Sequence, residues 1–99
     1  MEFTTEKKGT ELKVSLAGEL NALTAPELQS FLDKELPGMS SVILNFQECD
    51  YVSSAGLRVL LGTFKQMKAQ SGSMILTNVG ENFMEVLENT MLAPVFDIR

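Results

Sequence analysis

The chain has 99 residues, 44% hydrophobic and 21% charged, with eight Lys and Arg against thirteen Asp and Glu for a net charge of −5. That supports one compact domain over residues 1–99 with a core of its own. With no histidine and a single cysteine, it excludes a Ser-His-Asp or Cys-His catalytic unit, an ordinary zinc site and an internal disulfide.

Glu2 to Lys7 is polar with Phe3 and Thr5 alternating, Lys8-Gly9-Thr10 reads as a turn, and Glu11 to Leu16 places Leu12, Val14 and Leu16 on one face. The two segments predict a β-hairpin. Thr24 and Glu27 have capping-box spacing with Pro26 between them, and Leu28, Phe31, Leu32 and Leu36 follow at helical period until Pro37-Gly38. Ser41 to Phe46 is a short apolar run around Val42-Ile43-Leu44, which predicts a strand covered on both faces. A second helical period runs through Leu57, Leu60, Leu61, Phe64 and Met67 to Ser71-Gly72, and Met74 to Thr77 is a further short strand. Asn78 and Glu81 repeat the capping-box spacing before Phe83, Val86, Leu87 and Met91, and Pro94 introduces a last strand or ordered tail over Val95 to Ile98.

The order β-β-α-β-α-β-α-β predicts an α/β domain: a mixed sheet of four to five strands, an N-terminal hairpin, parallel βαβ units with right-handed crossovers, and helices packed on the sheet. A free first strand leaves monomer and weak dimer both open. No apolar run nears the ~20 residues of a membrane span, so no membrane insertion is expected. The acidic balance and scattered basic residues argue against direct binding of nucleic acid. A lone Cys and a start, Met1 to Glu6, without a basic or apolar leader pattern favour the cytoplasm.

The informative stretch is Asp50-Tyr51-Val52-Ser53-Ser54-Ala55-Gly56-Leu57-Arg58. It delivers two serines to a helix N-terminus at the carboxyl end of a buried strand, where open α/β sheets bind ligands. Serine there is a favoured N-cap worth about 1 kcal/mol. Gly56 in a first helical turn costs up to about 1 kcal/mol against Ala, which points to close approach by another group. A hydroxyl at this position can also receive a phosphoryl group, adding about −1.5 to −2 charges next to Glu48 and Asp50. The stretch is neither a G-x-S-x-G elbow nor a P-loop, and with no His to serve as base a serine nucleophile has little support. Cys49 has no cation beside it in sequence and reads as inert; Met67, Met74, Met84 and Met91 read as core filling; Glu81, Glu85 and Glu88 read as a solvated face.

The same residues carry a resemblance. Gly18-Glu19-Leu20-Asn21 with Thr24-Ala25, then Val42-Ile43-Leu44-Asn45-Phe46, then Tyr51-Val52-Ser53-Ser54-Ala55-Gly56-Leu57-Arg58-Val59-Leu60-Leu61, with Gly72 and Met74-Ile75-Leu76, resemble the STAS domain of bacterial anti-sigma factor antagonists in order and over nearly the whole chain. The resemblance implies a non-enzymatic partner switch in transcription regulation. The unphosphorylated protein binds an anti-sigma factor that is also a serine kinase. Phosphorylation of the serine two places before the signature glycine, Ser54, releases it, and a metal-dependent serine phosphatase resets it. No cofactor is implied on this chain, since Mg-ATP belongs to the kinase. Ser53, where many members carry Asp, is the alternative phosphoacceptor, and Asn21 replaces a family Asp. Asn21, Thr24, Ser53, Ser54, Ala55, Gly56, Leu57 and Arg58 are the expected partner-binding residues. The alternative within the same fold is a non-phosphorylated docking subunit of a lipid-transport or signalling complex.

Overall fold

The computed structural model describes all residues, 1–99. Strands β1 (Glu2–Lys8) and β2 (Glu11–Ala17) form the hairpin, followed by α1 (Ala25–Glu35), β3 (Ser41–Glu48), α2 (Ser54–Ala69), β4 (Ser73–Thr77), α3 (Glu81–Asn89) and β5 (Asp97–Ile98). The β1–β2 turn is a two-residue one with Gly9 at φ +59°, a left-handed position that favours glycine. The last strand is shorter than the sequence suggested: only Asp97 and Ile98 pair, with Ile75 and Leu76.

The sheet order is β1-β2-β3-β4-β5, with β1 antiparallel to β2 and every later pair parallel. Each crossover therefore steps one strand in the same direction. Right-handed connections then place α1, α2 and α3 on one face of the sheet. Side chains agree: Phe31 of α1 stacks on Phe3 at 4.7 Å between centroids, and Phe83 of α3 lies 4.6 Å from Phe46 of β3. The core between the layers contains Leu12, Val14 and Leu16 of β2, Val42, Leu44 and Phe46 of β3, and Met74 and Leu76 of β4. Against them lie Leu28 and Leu32 of α1, Leu60 and Met67 of α2, and Phe83 and Leu87 of α3.

Strand β3 is thus covered on one face only, which corrects the two-sided burial expected from its apolar run. Val42, Leu44 and Phe46 are buried, while Ile43 and Asn45 are only half-buried on the bare side. Strand β2 alternates in the same sense, as its sequence predicted.

Both expected capping boxes are absent. Thr24 is the N-cap of α1 but makes no capping hydrogen bond from its side chain. Helix α3 starts at Glu81 with Gly80 as N-cap, and Asn78 lies upstream at φ +55°. The end of α1 is closed from a distance instead: Gln70 Nε2 donates to the carbonyls of Leu36 (3.1 Å) and Met39 (3.0 Å).

Helix α3 ends with Met91 at φ +62° and 77% exposed, followed by a Leu92 N–H bond to Leu87 O. Glycine is the usual occupant of that left-handed site. We expect Met91→Gly to raise stability by about 1 kcal/mol, since an L side chain there costs about 1–2 kcal/mol, offset in part by glycine's unfolded-state entropy. Urea denaturation checks this, and an unchanged or lower midpoint would contradict it.

Candidate functional site

The serine loop is built at the carboxyl ends of β2 and β3. Leu20 N–H donates to Tyr51 O (3.1 Å) and Ser53 N–H to Leu20 O (2.9 Å), so Leu20 and Val52 form an isolated parallel bridge beyond the strands. Gly18 N–H adds a bond to Glu48 O at 3.1 Å. These contacts join the connection before α1 to the one before α2.

Gly56 sits against this bridge. A Cβ there would lie 2.6 Å from Leu20 Cγ and 2.9 Å from Val52 Cγ2, both in buried side chains. The close approach that the sequence suggested at Gly56 is thus made by the protein's own core. Leu57 is buried as well. Two of the expected partner-binding residues, Gly56 and Leu57, therefore build the loop from beneath rather than line its surface.

Ser53 and Ser54 are in different situations. Ser53 is the N-cap of α2, in extended conformation, and its Oγ accepts from Gly56 N–H at 3.4 Å. Ser54, the first residue of the helix, is exposed. Ala55 is half-buried, and Arg58 is exposed on the same helix with no ion-pair partner and no side-chain hydrogen bond. No acidic residue lies in the first turn of α2.

Asn21 and Thr24 hold the neighbouring loop in one shape. Asn21 Oδ1 accepts from Leu23 N–H (2.9 Å) and Thr24 N–H (3.0 Å), and Asn21 N–H donates to Thr24 Oγ1 (2.8 Å). Thr24 Oγ1 also donates to Glu19 O, so its hydroxyl faces the Glu19–Asn21 segment and not the first turn of α1. The turn they make carries Leu23 into solvent at 83% exposure, and Tyr51, on the adjoining loop, is 49% exposed. These two apolar side chains were not singled out by sequence reasoning. Their one signal was that Leu23 falls between the strand and helix periods and belongs to neither.

Asp50 sits otherwise than its place in the sequence suggests. It does not lie beside the serines as a free charge. Its Oδ1 accepts from Phe83 N–H (3.3 Å) and its Oδ2 from Asn82 Nδ2 (2.9 Å), so it caps α3. A Cβ at Gly80 would run into this carboxylate. The partners are 33 residues apart, and no local spacing reveals them. Cys49 is buried, with Sγ 3.6 Å from Tyr51 O, and burial pushes its thiol pKa up, away from the reactive thiolate. No helix is long and apolar enough to cross a membrane.

A two-layer domain with three helices on one face of a five-stranded mixed sheet, and the serine loop at its end, matches one family throughout. Its sequence model, described as the STAS domain, matches residues 2–99. The chain belongs to the STAS family. It is similar to the anti-sigma-B factor antagonist of Bacillus subtilis, at 32% identity over 88 residues, covering 89% of this chain and 81% of that one. Among solved structures it resembles an anti-sigma factor antagonist from Mycobacterium paratuberculosis with a TM-score of 0.85 and 19% identity, covering 98% of this chain and 83% of that one. It also resembles the Bacillus cell fate determinant SpoIIAA in its phosphorylated form, with a TM-score of 0.76 and 21% identity over 99% of this chain and 91% of that one. The unphosphorylated form of SpoIIAA gives 0.77 at 19% identity, covering 99% and 87%. The STAS fold expected from the sequence is therefore the observed one.

Two substitutions test how this STAS loop is held. Gly56→Ala should destabilise by about 1–2 kcal/mol, the cost of overpacking exceeding the gain in helix propensity. Asp50→Ala should cost about 1 kcal/mol through the lost cap of α3. Chemical denaturation of each variant decides, and a Gly56→Ala protein as stable as the parent would show that the loop yields freely.

Proposed function

We propose that the protein is an anti-sigma factor antagonist, not an enzyme, which binds an anti-sigma factor with serine kinase activity and is released by phosphorylation at Ser54. The observation that carries the choice of residue is the division of labour between the two serines. Ser53 has its hydroxyl turned to its own helix as the N-cap, whereas Ser54 is exposed at the first helical position. A kinase needs the hydroxyl it attacks to enter its own active site.

In the proposed step, Ser54 Oγ attacks the γ-phosphorus of Mg-ATP held by the kinase. The bond to the β,γ-bridging oxygen breaks, ADP leaves, and the serine proton passes to a base on the kinase. The product carries about −1.5 to −2 charges where a neutral hydroxyl met the partner, which opposes the interface by desolvation and repulsion. A metal-dependent phosphatase would hydrolyse the ester and restore the binding form. Both phosphorylation states of SpoIIAA share this fold, which fits a switch that leaves the fold in place. The names of the relatives support the choice of partner.

Leu23 and Tyr51 extend the proposed docking surface beyond the residues expected from the motif. The turn that carries Leu23 is held by the Asn21 and Thr24 hydrogen bonds, which limits the backbone ordering entropy to be lost on binding.

The test is incubation with the cognate kinase and ATP, followed by intact-mass and fragment-ion analysis. We expect one phosphoryl group on the parent, none on Ser54→Ala with its fold and partner binding intact, and full uptake by Ser53→Ala. Phosphate mapped to Ser53, or retained by Ser54→Ala, would overturn the assignment. In the same system Leu23→Ser should weaken partner affinity about tenfold or more, from the burial a leucine side chain gains in an interface. Titration calorimetry measures it, and an unchanged Kd would remove Leu23 from the docking surface.

A further inference from the structure

Arg58 acquires a role of its own on the reading of Ser54 as the phosphoacceptor, and the role rests on that reading. Ser54 and Arg58 are four residues apart on α2, and both are exposed. Residues so spaced are neighbours on one helix face, about 5–6 Å between Cβ atoms. Long side chains in a helix lean toward its N-terminus, which inclines Arg58 back over the turn that begins with Ser54. An anion placed N-terminal to a cation at this spacing is the favourable order.

The surroundings leave Arg58 free for such a role. The three ion pairs of the structure are Met1 N–Glu27, Lys7–Glu35 and Arg99–Asp97, and none involves it. Glu27 and Glu35 belong to α1, and the first turn of α2 holds no acid. The acids at this end of the sheet include Glu2, paired with Ala17 at the end of β2, Glu19, Glu48 and Asp50 on the strand-end segments, Glu27 in the first turn of α1 and Glu81 at the start of α3. Asp50 is bound by Asn82 and by the Phe83 N–H. The basic residues Lys65 and Lys68 lie further along α2, and Lys68 sits over the Phe64 ring at 5.4 Å.

We propose that Arg58 captures the phosphoryl group of phospho-Ser54 within the same helix, its guanidinium donating to two phosphate oxygens. Phosphorylation then changes the partner-facing surface twice. It adds an anion at Ser54, and it withdraws the one free cation of the first two turns of α2 from any partner carboxylate. A guanidinium suits this better than an ammonium, because its fork matches two phosphate oxygens at once.

The pair can be measured without any kinase. The full chain is made with phosphoserine encoded at position 54, in the parent and in Arg58→Gln and Arg58→Lys, and the second ionisation of the phosphate is followed by phosphorus NMR. A nearby cation favours the dianion, so the parent should ionise about 0.2–0.4 of a pH unit lower than Arg58→Gln, with Arg58→Lys between them. Raising the salt to 1 M should shrink the difference. In a second readout, amide exchange in the first turn of α2 should slow on phosphorylation in the parent and less so in Arg58→Gln. Coincident titrations of parent and Arg58→Gln, with the fold intact, overturn the capture. A phosphate that the kinase places elsewhere overturns the reading beneath it, and the two failures appear in separate experiments.

Discussion

The bridge between Leu20 and Val52 is the constraint on which the functional end of the molecule depends. It needs only two backbone hydrogen bonds, yet it ties the connections that follow β2 and β3 into one surface. Gly56 packs on it with no room for a Cβ, which sets the depth at which α2 begins. Ser53 then closes the helix end, and Ser54 emerges on the outside. The exposure of one hydroxyl is thus determined by a packing contact beneath it.

The same end of the fold separates support from contact. Gly56, Leu57, Asn21 and Thr24 spend their interactions inward, on core packing or on the turn around Asn21. Ser54, Arg58, Leu23 and Tyr51 present their side chains to solvent. Asp50 shows why charge read along a chain misleads. Two residues from Val52 in sequence, its carboxylate belongs to a different helix and satisfies one of that helix's orphan N–H groups, that of Phe83.

Much of this was legible in the sequence because it is written in local periods. The alternation of Leu12, Val14 and Leu16 and the helical spacing of Leu28, Leu32, Leu57, Leu60 and Phe83 determine the elements and the layer they bury. The serine-glycine motif located the site. What was not legible involves partners distant in the chain. The carbonyls at the end of α1 meet Gln70, and Phe83 meets Asp50, over separations that no window of residues contains. The one-sided cover of β3 also escaped its composition, because Ile43 and Ile75 are apolar residues on the bare face. Only the order of the strands, with every crossover turning the same way, reveals that no helix covers them.

That strand order has a consequence for how the protein is made. Each strand pairs with the one before it in the chain, so no pairing waits for a distant segment. A chain emerging from the ribosome can lay down the hairpin and then add each helix-strand unit to the edge already present. Loop closure stays short at each step, which favours rapid folding for a largely parallel sheet. The growing edge stays open until β5 caps it with two residues, and the first and last strands finish about 19 Å apart, four strand spacings across the sheet. Any tandem fusion of this domain must therefore leave from one margin of the sheet and enter at the other.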